Sequence, residues 1–142
     1  MTINAILGSK GGDVFSVECD TLVHDVVARL ATHRIGALPV IKDGKVVGIV
    51  SERDIVYRLA SDGAAMLEWT VDKVMTTPAI TIEGGLNVLV ALSMMTKRRV
   101  RHLPVLEGDA IVGFVSIGDL VKYRIEKIEQ EAEAMRSYIS GG

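Results

Sequence analysis

The strongest constraint on this chain is a heptapeptide that occurs twice. Gly48-Ile49-Val50-Ser51-Glu52-Arg53-Asp54 returns as Gly113-Phe114-Val115-Ser116-Ile117-Gly118-Asp119. A Leu-Pro-Val precedes each copy, at Leu38-Pro39-Val40 and at Leu103-Pro104-Val105. Pro39 and Pro104, Gly48 and Gly113, and Asp54 and Asp119 are each 65 residues apart. A fixed offset of this size marks an internal duplication, so one folding unit is built twice. Each heptapeptide reads as the end of a buried strand passing into a helix. A hydroxyl and a carboxylate stand at the mouth of that strand.

The surrounding pattern supplies the rest of the unit. Val14 to Glu18 alternates and predicts a strand. From Thr21, apolar residues recur at helical spacing to about Arg34. Ala37–Ile41 and Val46–Val50 are β-branched runs joined by an Asp43-Gly44 turn signal, which predicts a hairpin. A helix follows from Glu52 to about Ala60. The second copy predicts a strand at Ile80–Glu83 and a helix at Leu86–Arg98. A hairpin of Arg101–Leu106 and Ala110–Val115 follows, then a closing helix from Ile117. Ahead of the first copy, Met1 to Leu7 suits a helical turn or an edge segment, and Gly8 to Gly12 reads as a glycine-rich loop. Between the copies, Ala64–Trp69 suits a turn or two, and Val71–Met75 a short helix.

The expected fold is α/β (α+β): two β-α-β-β-α repeats packed sheet against sheet about a pseudo-twofold axis, with a long C-terminal helix. The expected boundaries are 3–62 for repeat 1, 63–77 for a connector, 71–124 for repeat 2 and 125–142 for a helical extension. A lone repeat of roughly 50–60 residues would bury too little apolar surface to stand comfortably alone.

Composition narrows the partners. Apolar residues make up 49% of the 142, yet charges or glycines interrupt every apolar run well short of a membrane span. The surplus is assigned to a core and a subunit interface. In the last helix, Val121, Ile125, Ile128, Ala132, Met135 and Ile139 form a heptad stripe on a charged background. That stripe suits either a helix laid on its own domain or a seam with another subunit. Its last turns run beyond the repeat, which favours the seam and a homodimer. A net charge of −2 and 4% aromatic residues argue against nucleic-acid binding by a basic face or by stacking. Cys19 is alone and cannot form an internal disulfide, and the first residues lack the pattern of a secretory signal. A cytoplasmic location is the resulting expectation.

Ser51 with Asp54, and Ser116 with Asp119, carry the clearest chemical signal. Ser-x-x-Asp before an apolar helix is close to a capping box, in which serine and acid satisfy helix amides. The same pair repeats at one offset where strand ends meet helix starts, a usual place for ligands in α/β layers. A carboxylate there suits a vicinal diol such as ribose, and helix amides beside it favour a phosphate. Other groups point to less. His24, His33 and His102 lie on separate elements, and no cluster has metal-ligand spacing. Gly8 to Gly12 with Lys10 lacks the Gly-Lys-Ser/Thr ending of a P-loop, which leaves both a flexible connector and a phosphate contact open. No nucleophile is paired with a base, so no enzymatic activity and no required cofactor are expected.

Together these pieces resemble the tandem CBS-domain pair, or Bateman module. The resemblance rests on Val74-Met75-Thr76, Ile35-Gly36-Ala37-Leu38-Pro39-Val40, Arg101-His102-Leu103-Pro104-Val105 and the two heptapeptides, and spans about residues 3–124. It implies a stand-alone regulatory module for adenosine-containing ligands: AMP, ADP or ATP, or alternatively NAD or S-adenosylmethionine. It also implies a regulated partner protein. An alternative is a structural dimerisation module without a physiological nucleotide. In such pairs each cleft is shared between repeats. One would join Ile49, Ser51, Arg53 and Asp54 to Thr77, Ile80, Val100, Arg101 and His102. The other would join Phe114, Ser116 and Asp119 to Lys10, Val14, Ile35 and Ala37. Gly36-Ala37 stands where the second copy has Arg101-His102, so the two clefts are expected to be unequal.

Overall fold

The apolar runs around the two prolines form hairpins, and everything else packs against them. The computed structural model describes residues 1–11 and 13–141. Its elements are α1 (Ile3–Lys10), β1 (Val17–Glu18), α2 (Val23–His33), β2 (Ala37–Lys42), β3 (Lys45–Ser51) and α3 (Glu52–Asp62). Two short 3₁₀ turns follow, at Ala64–Glu68 and Val71–Lys73. Then come β4 (Ile82–Glu83), α4 (Val88–Arg98), β5 (His102–Glu107), β6 (Ala110–Ser116) and α5 (Ile117–Gly141).

Each repeat carries one three-stranded sheet, ordered β1-β2-β3 and β4-β5-β6. The hairpin strands pair antiparallel, and the short first strand joins parallel. Register follows the duplication: Val17 pairs with Val40 as Ile82 pairs with Val105. Even the irregularities match, at Val40/Ile41 and at Val105/Leu106. β3 and β6 touch across the centre of the molecule, where the two sheets meet. The first strands are shorter than the alternation predicts, because Val14–Ser16 and Ile80–Thr81 run outside the ladder. In both sheets the parallel pairing begins at the residue after proline, which has no N–H to give a ladder.

The two cores exchange their leading segments. The first core joins Val17, Val23, Val26, Leu38, Val40 and Val50 to Met66, Val71 and Val74 from the connector. The second joins Ile82, Val88, Ala91, Met95, Leu103 and Val115 to Ile3 and Ile6 of α1. α1, which the expected boundary of 3–62 counts with repeat 1, packs in the core of the second repeat. Matching backbone contacts hold both segments. Thr2 bridges Asn87 as Thr70 bridges Leu22. Glycine makes the close crossing possible in each half. A Cβ on Gly48 would lie 2.6 Å from Met75 Sδ, and one on Gly113 would lie 2.5 Å from Leu7 Cδ2.

The glycine-rich loop expected at Gly8–Gly12 is corrected in part. Gly8, Ser9 and Lys10 form the last turn of α1, and Gly12 lies outside the described residues. Buried Ile3 and Ile6 fix α1 in place, and a lysine in its last turn suits the helix dipole. At the other end, α5 buries Leu120 and then leaves its host domain. Val121, Ile125, Ile128, Met135 and Ile139 are all exposed, so the stripe does not lie on its own domain.

Candidate functional site

The first repeat's carboxylate is built by its cap. Ser51 is extended and ends β3, and α3 starts immediately after it. Asp54 N–H donates to Ser51 Oγ at 3.2 Å, and Ser51 N–H donates to Asp54 Oδ2 at 2.9 Å. This is the capping box read from the sequence. It uses only one carboxylate oxygen. The other, Oδ1, accepts from Thr76 Oγ1 of the connector at 3.2 Å. Thr76 is held there by paired backbone bonds with Ile49, of 2.8 and 3.0 Å. The cap therefore positions the acid and leaves one oxygen facing the seam between repeats.

Asp54 borders a cavity of about 620 Å³. Ile49, Ser51, Glu52, Arg53, Val56 and Tyr57 line it from the first repeat. Thr76, Pro78, Ala79, Ile80, Val100, Arg101 and His102 line it from the connector and second repeat. Arg98 and Arg99 stand at its edge, at the end of α4. Four arginines, Arg53, Arg98, Arg99 and Arg101, are thus among the residues lining a cavity that also has two acidic residues, Glu52 and Asp54, in its wall. A cavity of this size with an apolar lining and a few convergent polar groups has the character of a small-molecule site.

His102 lies between the two halves. Its ring stacks on Phe114 with centroids 5.5 Å apart and planes 14° from parallel. Burial pushes its imidazole below the ordinary histidine value. The Asp119 and Glu52 charges oppose that shift, and those of Lys10 and Arg101 reinforce it.

The second repeat repeats the cap and differs beyond it. Asp119 N–H donates to Ser116 Oγ at 3.1 Å, and Ser116 N–H donates to Asp119 Oδ2 at 2.8 Å. The same Oδ2 accepts from Lys10 Nζ at 2.7 Å, and that ammonium also donates to the Phe114 carbonyl at 2.7 Å. Burial pushes the Asp119 carboxyl up, but the bonds from Lys10 and Ser116 and the Lys10 charge outweigh it and hold it below the usual value.

A family model described as CBS domain matches residues 9–61 and 71–126, one match on each repeat. The chain belongs to the CBS-domain family. It is 33% identical to CBS domain-containing protein CBSX3, mitochondrial, of Arabidopsis thaliana, over 99% of this chain and 73% of that protein. The crystal structure of the CBS-domain protein ATU1752 from Agrobacterium tumefaciens is 37% identical, with a TM-score of 0.84, covering 87% of this chain and 99% of that one. The CBS pair of protein MJ0100, solved in complex with 5′-methylthioadenosine and S-adenosyl-L-methionine, shares the fold. It has a TM-score of 0.79 at 24% identity, over 89% of this chain and 98% of that one.

Within this CBS pair, the residues expected around Asp54 come together with one exception. Thr77 is not among the lining residues. Its hydroxyl donates to the Val47 carbonyl at 2.7 Å, while its neighbours Thr76 and Pro78 face the cavity. Sequence reasoning missed Arg98 and Arg99. Basic residues closing a helix are read first as complements to its dipole, and that reading hides a second role. Around Asp119, Ser116, Phe114 and Lys10 are joined directly. Ala37 is buried within β2, Ile35 packs on the first core, and Val14 is half-buried ahead of β1. Phe15, also unforeseen, stacks on His33 with ring centroids 3.8 Å apart.

Proposed function

We propose that this CBS pair is a regulatory module that binds an adenine nucleotide of the AMP, ADP or ATP type at the Asp54 cleft. One observation carries the reading. A cavity of about 620 Å³ between the repeats combines a carboxylate having one lightly engaged oxygen with four arginines. The carboxylate suits the hydroxyls of a ribose. Arginine presents a planar fork that matches phosphate oxygens, and such charge-assisted bonds are about twice as strong as neutral ones. Apolar Ile49, Ile80 and Val100 suit a base. The adenosine ligands held by the MJ0100 pair agree with a nucleoside in a fold of this kind. Four arginines in the lining weigh against the cationic S-adenosylmethionine and for phosphate.

The module acts by binding and performs no chemistry. A ligand in this cleft touches both repeats, and it shifts their packing only if it binds one arrangement better than another. The exposed stripe on α5 supports a homodimer through which such a shift is passed to a regulated protein.

The test is a thermal-shift panel of AMP, ADP, ATP, NAD and S-adenosylmethionine, with chromatography of the recovered ligand. A rise in melting temperature with phosphate-bearing ligands, and intact ligand afterwards, supports the reading. Turnover contradicts it in favour of an enzyme, and no shift with any ligand contradicts it in favour of a purely structural dimerisation module.

A further inference from the structure

The two caps are alike, but what covers them differs in charge. In the first repeat, Thr76 donates its N–H to the Ile49 carbonyl at 2.8 Å and its hydroxyl to Asp54 at 3.2 Å. Phe114 is the counterpart of Ile49 under the 65-residue offset. There a single ammonium makes both contacts. Lys10 donates to the Phe114 carbonyl and to Asp119, each at 2.7 Å. A hydroxyl at 3.2 Å is a weak neutral partner that a ligand hydroxyl can replace like for like. An ammonium at 2.7 Å holds Oδ2 of Asp119, the oxygen the cap also uses, with an ion pair as well as a hydrogen bond.

Lys10 is also held in position. It closes α1, and α1 is anchored in the second core by Ile3 and Ile6, 0% and 2% exposed. The contact therefore forms without ordering a free loop, which would have weakened it. The low-lying Asp119 carboxyl agrees with an acid whose charge is already satisfied.

We propose that Lys10 is an occupancy-determining residue: it holds Asp119 closed to a ribose, so that each chain takes one nucleotide, at the Asp54 cleft. The choice of nucleotide as ligand rests on the function proposed above; the closure itself rests on the Lys10 contacts. The ammonium and the cap both engage Oδ2 of Asp119, so a vicinal diol that takes both carboxylate oxygens has to displace the ion pair and leave the ammonium beside the Phe114 carbonyl. The same sugar at Asp54 displaces one hydroxyl.

The experiment is calorimetric titration of ADP into the full chain as wild type, Lys10→Met, Lys10→Gln and Lys10→Met/Asp119→Ala. Methionine keeps an unbranched stem without the charge, and glutamine keeps a donor without the charge. One site per chain is expected in wild type and two in either single variant. The second site should be at least about tenfold weaker when Lys10 is present. The double variant is expected to return to one site. A second wild-type site as strong as that of the single variants overturns the proposal, as does a site number unchanged by both single variants. An extra site that survives Asp119→Ala also overturns it, because that site is then elsewhere. If wild type binds no ADP and Lys10→Met binds one, the Lys10 closure stands and the nucleotide reading of the Asp54 cleft falls.

Discussion

Asp54 and Asp119 make the same cap and face opposite partners: a hydroxyl from Thr76 and an ammonium from Lys10. Duplication has preserved the backbone role of the acid, while the side chains around it have diverged. Both acids therefore have a structural role to lose. Asp54→Ala is expected to destabilise the ligand-free protein by about 0.5–2 kcal/mol, the usual worth of a helix cap. Asp119→Ala should cost more, by up to about 1 kcal/mol, the usual ceiling for a part-exposed ion pair. Urea midpoints of the two variants check the order. Equal or reversed losses would mean that the Lys10 contact contributes nothing to folding.

The exchange of leading segments gives the N-terminus an unusual weight. Ile6 is 2% exposed and lies in the second core, far along the chain from its neighbours there. Ile6→Ala should cost about 2–5 kcal/mol, as for other buried Ile-to-Ala changes. Chemical denaturation measures this directly. A loss below about 1 kcal/mol would show that α1 is loosely held, and with it Lys10.

His102 predicts how stability depends on pH. Burial lowers its folded-state value below the ordinary 6.5. Between the lowered value and 6.5 the unfolded chain binds more protons than the folded one, so stability rises with pH across that window. Above 6.5 this contribution is flat. Denaturation midpoints should therefore fall as pH drops below 6.5, and His102→Gln should flatten that slope. An unchanged slope in the variant would assign the dependence to another group.

Much of this was legible in the sequence, for particular reasons. The hairpins showed because β-branched runs flank Asp43-Gly44, and the offset then carried the register of one half to the other. Ser51 and Asp54 were legible as a pair because a cap and a ligand carboxylate call for the same residues. The structure shows the cap, with one oxygen left over. What was not legible depended on contacts distant in sequence. Gly8 to Lys10 reads as a loop, since nothing local shows that Ile3 and Ile6 share a core with Val88 and Leu103. Arg98 and Arg99 reach the cavity only because α4 ends there, with Arg99 in the left-handed region at φ 56°. Thr76 and Thr77 are adjacent and chemically identical. Which of them faces the cleft is decided by the pairing of Thr76 with Ile49.

The exposed stripe of α5 predicts assembly. Ile125, Ile128, Met135 and Ile139 are 47–71% exposed on one heptad face. Truncation after Tyr123 should weaken a homodimer and raise its dissociation constant, as read by light scattering across a dilution series. An oligomer unchanged by truncation would place the interface elsewhere.

The central claim is that the Asp54 cleft binds an adenine nucleotide through its carboxylate and its arginines. Calorimetric titration of ADP into wild type, Asp54→Ala and Arg101→Ala tests it most directly, with adenosine titrated in parallel. The account predicts that Asp54→Ala weakens both ligands. Arg101→Ala should weaken ADP by about 1.5–3 kcal/mol, as for a hydrogen bond to a charged group, and adenosine far less. ADP affinity equal in all three proteins would contradict it.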